Sequence, residues 1–349
     1  MNDTRPFAVV TGGSSGIGLE LARRFAESGH DVLLSAEDAT ELQQARAQLT
    51  GGGATVTTHA SDLATEEGVD GLIGAIGGRQ VDALCVNAGY GLGGPFIETD
   101  LRTELRMIDL NCRGAVQLTK PIAKAMAARG RGRILFTSSI AGTMPGTFEA
   151  VYAATKAFDR WFAQGLREEL KGTGVTVTAL MPGTTETNFF RRADMMDTAA
   201  GTQKKDDPAL VAQAGFDAMM AGKDHVIPTS KNKVMAFIAE TLPDPLAAKM
   251  HRGLTEPGSA DRKSGAAPLA VGAAALGVGA VLFAYWRNGR GEAEPHAESA
   301  ARPAGVGQPA SGTTTAPDPL VPASGTGAQP GATPLPADVP TATEIRVGA

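Results

Sequence analysis

Seven short apolar runs, rich in β-branched residues, punctuate the first two-thirds of the chain. They are FAVVTG (7–12), DVLLSA (31–36), ATVTTHA (54–60), VDALCVNAG (81–89), GRILFTSS (132–139), GVTVTALMPG (174–183) and DHVIP (224–228). Few polar residues alternate within them, as expected of strands covered on both faces. Between most of them lie amphipathic stretches of helical length. In IGLELARRFAESGH, Leu19, Ala22, Phe25 and Ala26 fall on one side. A longer stretch runs from Asp100 to Arg129. Such strand–helix alternation predicts an α/β fold, a doubly wound seven-stranded parallel sheet between helical layers.

Two regions break the rhythm. Residues 184–223 read as a loop followed by a helix from about Pro208, and an insertion past the end of a strand is placed to cover a site there. The composition then changes near Gly258, which closes a first domain at 1–258 and opens a polar linker at 259–266. Residues 267–286, APLAVGAAALGVGAVLFAYW, carry no charge and end in Tyr285 and Trp286, with Arg287 next. Such a run is long enough to cross a bilayer core of ~30 Å. Its aromatic pair followed by arginine resembles a membrane interface. Ala273 with Gly277 and Ala275 with Gly279 would let helices approach closely. The expectation is a single transmembrane helix; an Ala/Gly-rich linker is the alternative. Residues 287–349 are rich in Ala, Pro, Gly and Thr and lack periodicity, which predicts a disordered tail.

Composition excludes some function classes. Lys and Arg total 32 against 37 Asp and Glu, a formal net charge of −5, which gives no reason to expect a nucleic-acid partner. The two cysteines, Cys85 and Cys112, are too few for a disulfide framework, and their apolar surroundings suggest inert thiols. The five histidines, at 30, 59, 225, 251 and 296, form no metal-binding spacing. The start, MNDTRPFAVV, shows no secretory signal.

Several motifs carry chemistry. TGGSSGIG (11–18) ends the first strand and opens the first helix, so Gly12, Gly16 and Gly18 would let the backbone approach a pyrophosphate at a helix N-terminus. Asp62 and Leu63 end the third strand. The carboxylate could accept from an adenine amino group with the leucine on the ring, or cap the next helix. Asn87, Ala88 and Gly89 end the fourth strand, where small residues would let a cofactor lie against the backbone. In VYAATKAF (151–158), Tyr152 and Lys156 share a helix face, a spacing that alone favours an ordinary solvated or partly packed face.

Together TGGSSGIG, NAG, Asn111, Ser138-Ser139, YAATK and PGTTET (182–187), in this order and at these intervals, resemble the short-chain dehydrogenase/reductase family. The resemblance covers residues 5 to about 230, extending to about 258, and implies a Rossmann-like fold. It also implies a tetrad of Asn111, Ser139, Tyr152 and Lys156. Tyr152 would be the general acid/base, with Lys156 lowering its pKa and holding the nicotinamide ribose. Ser139, with Ser138 as its neighbour, would hold the substrate oxygen. Asn111 would support a proton-relay water, or simply kink its helix. The nucleotide would lie against Gly12, Ser14, Ser15, Gly16, Ile17, Gly18, Glu37, Asp62, Leu63, Asn87, Ala88, Gly89, Tyr152, Lys156, Pro182, Gly183, Thr185 and Thr187.

In the family an acid at the end of the second strand favours NAD, and an arginine just after it favours NADP. Here Ala36 and Glu37 hold these places, and no Lys or Arg lies in TGGSSGIG or SAEDATE. Glu37 or Asp38 would repel a 2′-phosphate, so the charge pattern leans to NAD(H) over NADP(H). Met144, Phe148, Phe189, Phe190, Met195 and Met196 are candidates to line an apolar pocket, or to form core under a lid. The expected activity is an NAD(P)-dependent interconversion of an alcohol and a carbonyl, on a small and plausibly hydrophobic substrate, with the catalytic domain in the cytoplasm. The family also suggests a homo-oligomer. The alternatives are an NADPH-dependent ketoacyl or carbonyl reductase and a non-catalytic nucleotide-binding scaffold.

Overall fold

The computed structural model describes residues 5–261. Each of the seven apolar runs contributes a strand: β1 (Phe7–Thr11), β2 (Asp31–Ala36), β3 (Val56–Ala60), β4 (Ala83–Val86), β5 (Gly132–Thr137), β6 (Val175–Leu180) and β7 (His225–Val226). They form one parallel sheet in the order β3-β2-β1-β4-β5-β6-β7. Strand order reverses between β1 and β4, and a ligand crevice opens at such a switch point beyond the C-terminal strand ends.

Side chains alternate across the pleat, so successive residues enter opposite cores. Val9, Leu33, Leu84, Phe136 and Val177 pack on one face under α3 (Glu66–Ile76), α5 (Ala115–Ala128) and α6 (Ala150–Glu169). Val10, Leu34, Cys85, Leu135 and Leu180 pack on the other under α1 (Gly16–Glu27), α2 (Ala39–Leu49) and α9 (Pro208–Met220). Side chains cap several helices: Asp38 accepts from Glu41 N at α2, Thr65 from Gly68 N at α3, and Asp207 from Ala209 N at α9. Thr65 therefore does the capping once considered for Asp62.

The long segment from Asp100 to Arg129 is a helix with a flaw. It comprises α4 (Leu101–Ile108), a π-helical turn at Asp109–Gly114, and α5. Asn111 sits in that turn.

The insertion divides differently from the expectation. Only its first part, with α7 (Phe189–Arg192) and α8 (Ala199–Thr202), reaches the crevice. α9 is a core helix, with Val211, Ala212 and Met219 fully buried, because its apolar face meets the sheet beside α1. After β7 come α10 (Ser230–Thr241) and α11 (Asp244–Thr255). The domain also passes its expected end at 258. Ser259–Asp261 forms a 3-10 turn in which Ser259 Oγ accepts from Ala199 N at 2.9 Å and Ala260 N donates to Asp197 O at 3.0 Å. Among the described residues no helix is long and apolar enough to cross a membrane. The expected span 267–286 and tail 287–349 lie outside the described residues.

Candidate active site

The glycine-rich turn leaves the N-terminus of α1 open. Ser15 at its N-cap makes no side-chain capping bond, so backbone N–H groups of the first turn stay available. Gly12 takes φ +64°, and a Cβ on Gly18 would stand 2.2 Å from the Gly12 carbonyl oxygen. Glycine is thus sterically required at both places. An uncapped helix start behind a tight glycine turn fits a nucleotide pyrophosphate.

From this turn a cleft of about 760 Å³ runs along the C-terminal strand ends. Of the site residues named from the sequence, all but Gly18, Asn111 and Pro182 line it. Those three lie just behind the wall. Gly18 packs under Gly12. The Pro182 carbonyl accepts from Ile140 N at 3.0 Å and from Ser139 Oγ at 3.4 Å, holding the serine loop. Asn111 is buried; its Oδ1 accepts from Tyr90 N at 3.2 Å, and its Nδ2 donates to Tyr90 O and Thr155 Oγ1. A Cβ on Gly89 would lie 3.0 Å from Asn111 Oδ1 and 3.2 Å from Lys156 Nζ, so both polar groups converge on that glycine.

The two serines divide their work. Ser138 Oγ donates to the Lys156 carbonyl at 2.6 Å, which commits it to the wall. Ser139 neighbours the buried Tyr152 hydroxyl, whose ring packs against Phe189 with centroids 5.1 Å apart. Burial drives the Tyr152 phenol well above its ordinary value, Glu149 adds to this, and the Ser139 hydroxyl draws it back.

The expected lowering by Lys156 is not what the structure shows. Lys156 Nζ donates to Thr137 O and to Asp159 Oδ2, each at 2.9 Å. Both side chains of this ion pair are buried, and an ammonium out of water takes the strongest partner in reach. Asp159 raises the phenol pKa further. Its own carboxyl is pushed up by burial and held back by Lys156, and its Oδ1 has no hydrogen-bond partner.

At the adenosine end the charge pattern also differs from expectation. The Arg106 guanidinium, from α4, donates to Asp62 Oδ2 at 2.8 Å and to Glu37 Oε1 at 3.0 Å. The lean to NAD rests on the absence of Lys and Arg from TGGSSGIG and SAEDATE, and α4 brings a cation to Glu37 from outside both. Across the opening, Arg192 of α7 reaches Glu41 at 3.2 Å, and Glu41 also accepts from Ser14 Oγ at 3.0 Å.

The apolar candidates split. Met144, Phe189 and Phe190 line the cleft. Met195 is instead buried beneath the covering segment, Met196 is half-exposed, and Phe148, at φ +61°, lies under the Arg252 guanidinium. Cys85 is buried and Cys112 only partly so, and burial pushes the Cys112 thiol up to about 11 and Cys85 higher still.

Sequence reasoning missed Asp159, Arg106, Glu149 and His251. A signal existed for Asp159, which stands three residues after Lys156 and seven after Tyr152 on one helix face. Arg106 and His251 arrive from distant elements and had none.

Residues 6–197 match the sequence profile described as "short chain dehydrogenase". The chain is 35% identical over 178 residues to the "NADP-dependent 3-hydroxy acid dehydrogenase YdfG" of Salmonella typhi, covering 50% of this chain and 71% of that one. It is 36% identical over 185 residues to the "1-deoxy-11-beta-hydroxypentalenate dehydrogenase" of Streptomyces exfoliatus, covering 52% and 67%. Among solved structures it resembles the "Short-chain dehydrogenase from Sphingobium yanoikuyae in complex with NADPH", with TM-score 0.61, 29% identity and coverage of 64% and 88%. The chain belongs to the short-chain dehydrogenase/reductase family. It is an NAD(P)-dependent oxidoreductase that interconverts alcohols and carbonyls.

With Tyr152 as the base of alcohol oxidation, the rate would rise as pH passes the phenol pKa. Asp159→Asn removes a charge that holds that pKa up and frees the Lys156 cation. The rising limb of the oxidation profile should therefore move to lower pH, by on the order of one unit. A limb at the same pH in both proteins would show that Asp159 is not coupled to Tyr152.

Proposed function

We propose that Tyr152 exchanges a proton with the substrate oxygen, that Ser139 Oγ holds that oxygen, and that Lys156 secures the nucleotide beside Gly89. The observation that carries this reading is the continuity of the cleft. One wall holds Ser139 beside Tyr152, and the other end is the uncapped start of α1. The nucleotide supplies or accepts the hydride. The chain's own residues position the reactants and move the proton. Asn111 acts through others: its amide fixes the backbone of Tyr90 and the Thr155 hydroxyl, which keeps the floor near Gly89 in register. Tyr152→Phe should lower turnover by at least about 100-fold while leaving nucleotide affinity near its original value. Steady-state rates and nucleotide fluorescence measure the two parts, and retained turnover would overturn the assignment.

We infer that NADP(H) is the working nucleotide. The relative from Salmonella is named NADP-dependent, and the Sphingobium enzyme holds NADPH. Arg106 supports the same choice, because its guanidinium already stands at the end of β2 and β3 and can pair with a phosphate bidentately. Glu37, well exposed, is free to give up that partner. Arg106→Ala should weaken NADPH binding roughly tenfold more than NADH binding. Equal losses for the two nucleotides, read by parallel titrations, would refute the inference.

We also retain residues 267–286 as a membrane anchor, a reading supported by twenty consecutive uncharged residues and the terminal Tyr-Trp-Arg. Deleting them should move the chain from the membrane to the supernatant fraction. An intact chain found entirely in the supernatant would exclude the anchor.

A further inference from the structure

The cleft has a second polar end that the proton transfer does not use. Glu149 stands at the N-cap of α6, three residues before Tyr152, yet its side chain makes no capping bond. Its carboxyl is 6% exposed, lines the cleft, and has no hydrogen bond shown to any described residue. The nearest polar partner is His251 of α11, whose Nε2 lies 3.6 Å from Glu149 Oε2 and whose side chain is 5% exposed. No lysine or arginine among the described residues pairs with Glu149.

The tautomer of His251 follows from its other nitrogen. Nδ1 lies 3.1 Å from the Thr147 carbonyl oxygen, which only accepts, so Nδ1 carries the hydrogen. The Thr255 hydroxyl lies near Nδ1 as well, but its single hydrogen is directed to Thr147 O at 2.6 Å. Nε2 is therefore left with its lone pair turned toward the Glu149 carboxyl. Any proton between the carboxyl and Nε2 serves only one of them, so the pair keeps more acceptor positions than hydrogens. Burial pushes Glu149 up to about 8 and His251 down, which is consistent with a pair lacking a cation. Met144, Phe189 and Leu254 are apolar neighbours in the same cleft. A carboxyl kept in such surroundings is costly unless a donor joins it.

We propose that Glu149 and His251 form the specificity end of the substrate site and bind a hydrogen-bond donor on the substrate, a hydroxyl or a protonated amine, lying beyond the reacting carbon. This rests on Tyr152 and Ser139 marking the reacting carbon. A hydroxyl donates to one acceptor of the pair; an ammonium donates to both and neutralises the carboxylate. A substrate carboxylate at that place meets at most the one shared proton and no cation, and is disfavoured against a donor.

Four ketones with one aromatic body test this on the full chain with NADPH: acetophenone, α-hydroxyacetophenone, α-aminoacetophenone and benzoylformate. The expected kcat/KM for the hydroxy and amino ketones exceeds that for acetophenone by at least about tenfold, with benzoylformate lowest. Glu149→Gln, which keeps the size and loses the charge, should cut the amino-to-acetophenone ratio by about tenfold or more. His251→Phe should cut the hydroxy-to-acetophenone ratio. Reduction of acetophenone with no preference for either donor overturns the inference and leaves the Tyr152 reading standing. Benzoylformate as the preferred substrate also overturns it, and the wild-type series alone decides this even if a variant fails to fold. Failure to reduce any of the four overturns the inference; if Tyr152→Phe also leaves turnover of other carbonyls intact, the underlying reading falls with it.

Discussion

A row of hydrogen bonds along the C-terminal edge of the sheet ties the glycine-rich turn at one end of the cleft to Lys156 and Asp159 on α6. Thr11 Oγ1, at the tip of β1, donates to Cys85 O and accepts from the backbone of Asn87 and Ala88. Asn87 returns a bond to Thr11 O and accepts from Thr137 Oγ1 at the tip of β5. The Thr137 carbonyl in turn accepts from Lys156, which closes the row on Asp159. Parallel strands fan apart where their order reverses, leaving backbone groups without ladder partners. Side chains of β1, β5 and the segment just after β4 fill that gap here. The NAG segment thus does more than present a small surface: Asn87 is the central link of the row.

The same edge concentrates buried charge. Lys156 with Asp159 and Glu149 with His251 both lie on or against α6, with Glu149 before Tyr152 in the chain and Lys156 and Asp159 after it. Ionised groups out of water persist only where partners offset the desolvation. Asp159 has its cation. Glu149 has only a neutral imidazole, so burial favours the uncharged form of the glutamate as it does that of the phenol. Acid–base chemistry needs groups whose proton affinities are displaced from their solution values, and α6 carries three of them.

The architecture was largely legible in the chain, because parallel strands buried on both faces must read as apolar runs and helices as periodic ones. Phe7, Asp31, Gly132 and Val175 begin strands at or within one residue of the start of their runs. The same holds for the turn at Gly12 and Gly18, where steric necessity restricts the residue type. The extent of the cover was not legible. α9 carries apolar residues as a lid helix would, and only its docking beside α1 makes it core.

The amino-acid sequence by itself determined the strand order's raw material, the phosphate-binding turn and the placement of Tyr152, Lys156 and Ser139, since each is encoded by spacing within one or two neighbouring elements. Only the tertiary structure decided the electrostatics around them. Arg106 reaches Glu37 from 69 residues away, and His251 meets Glu149 from a helix more than a hundred positions later. Charges interact through distance in space, and local spacing is silent about contacts that the packing of helices onto a sheet creates.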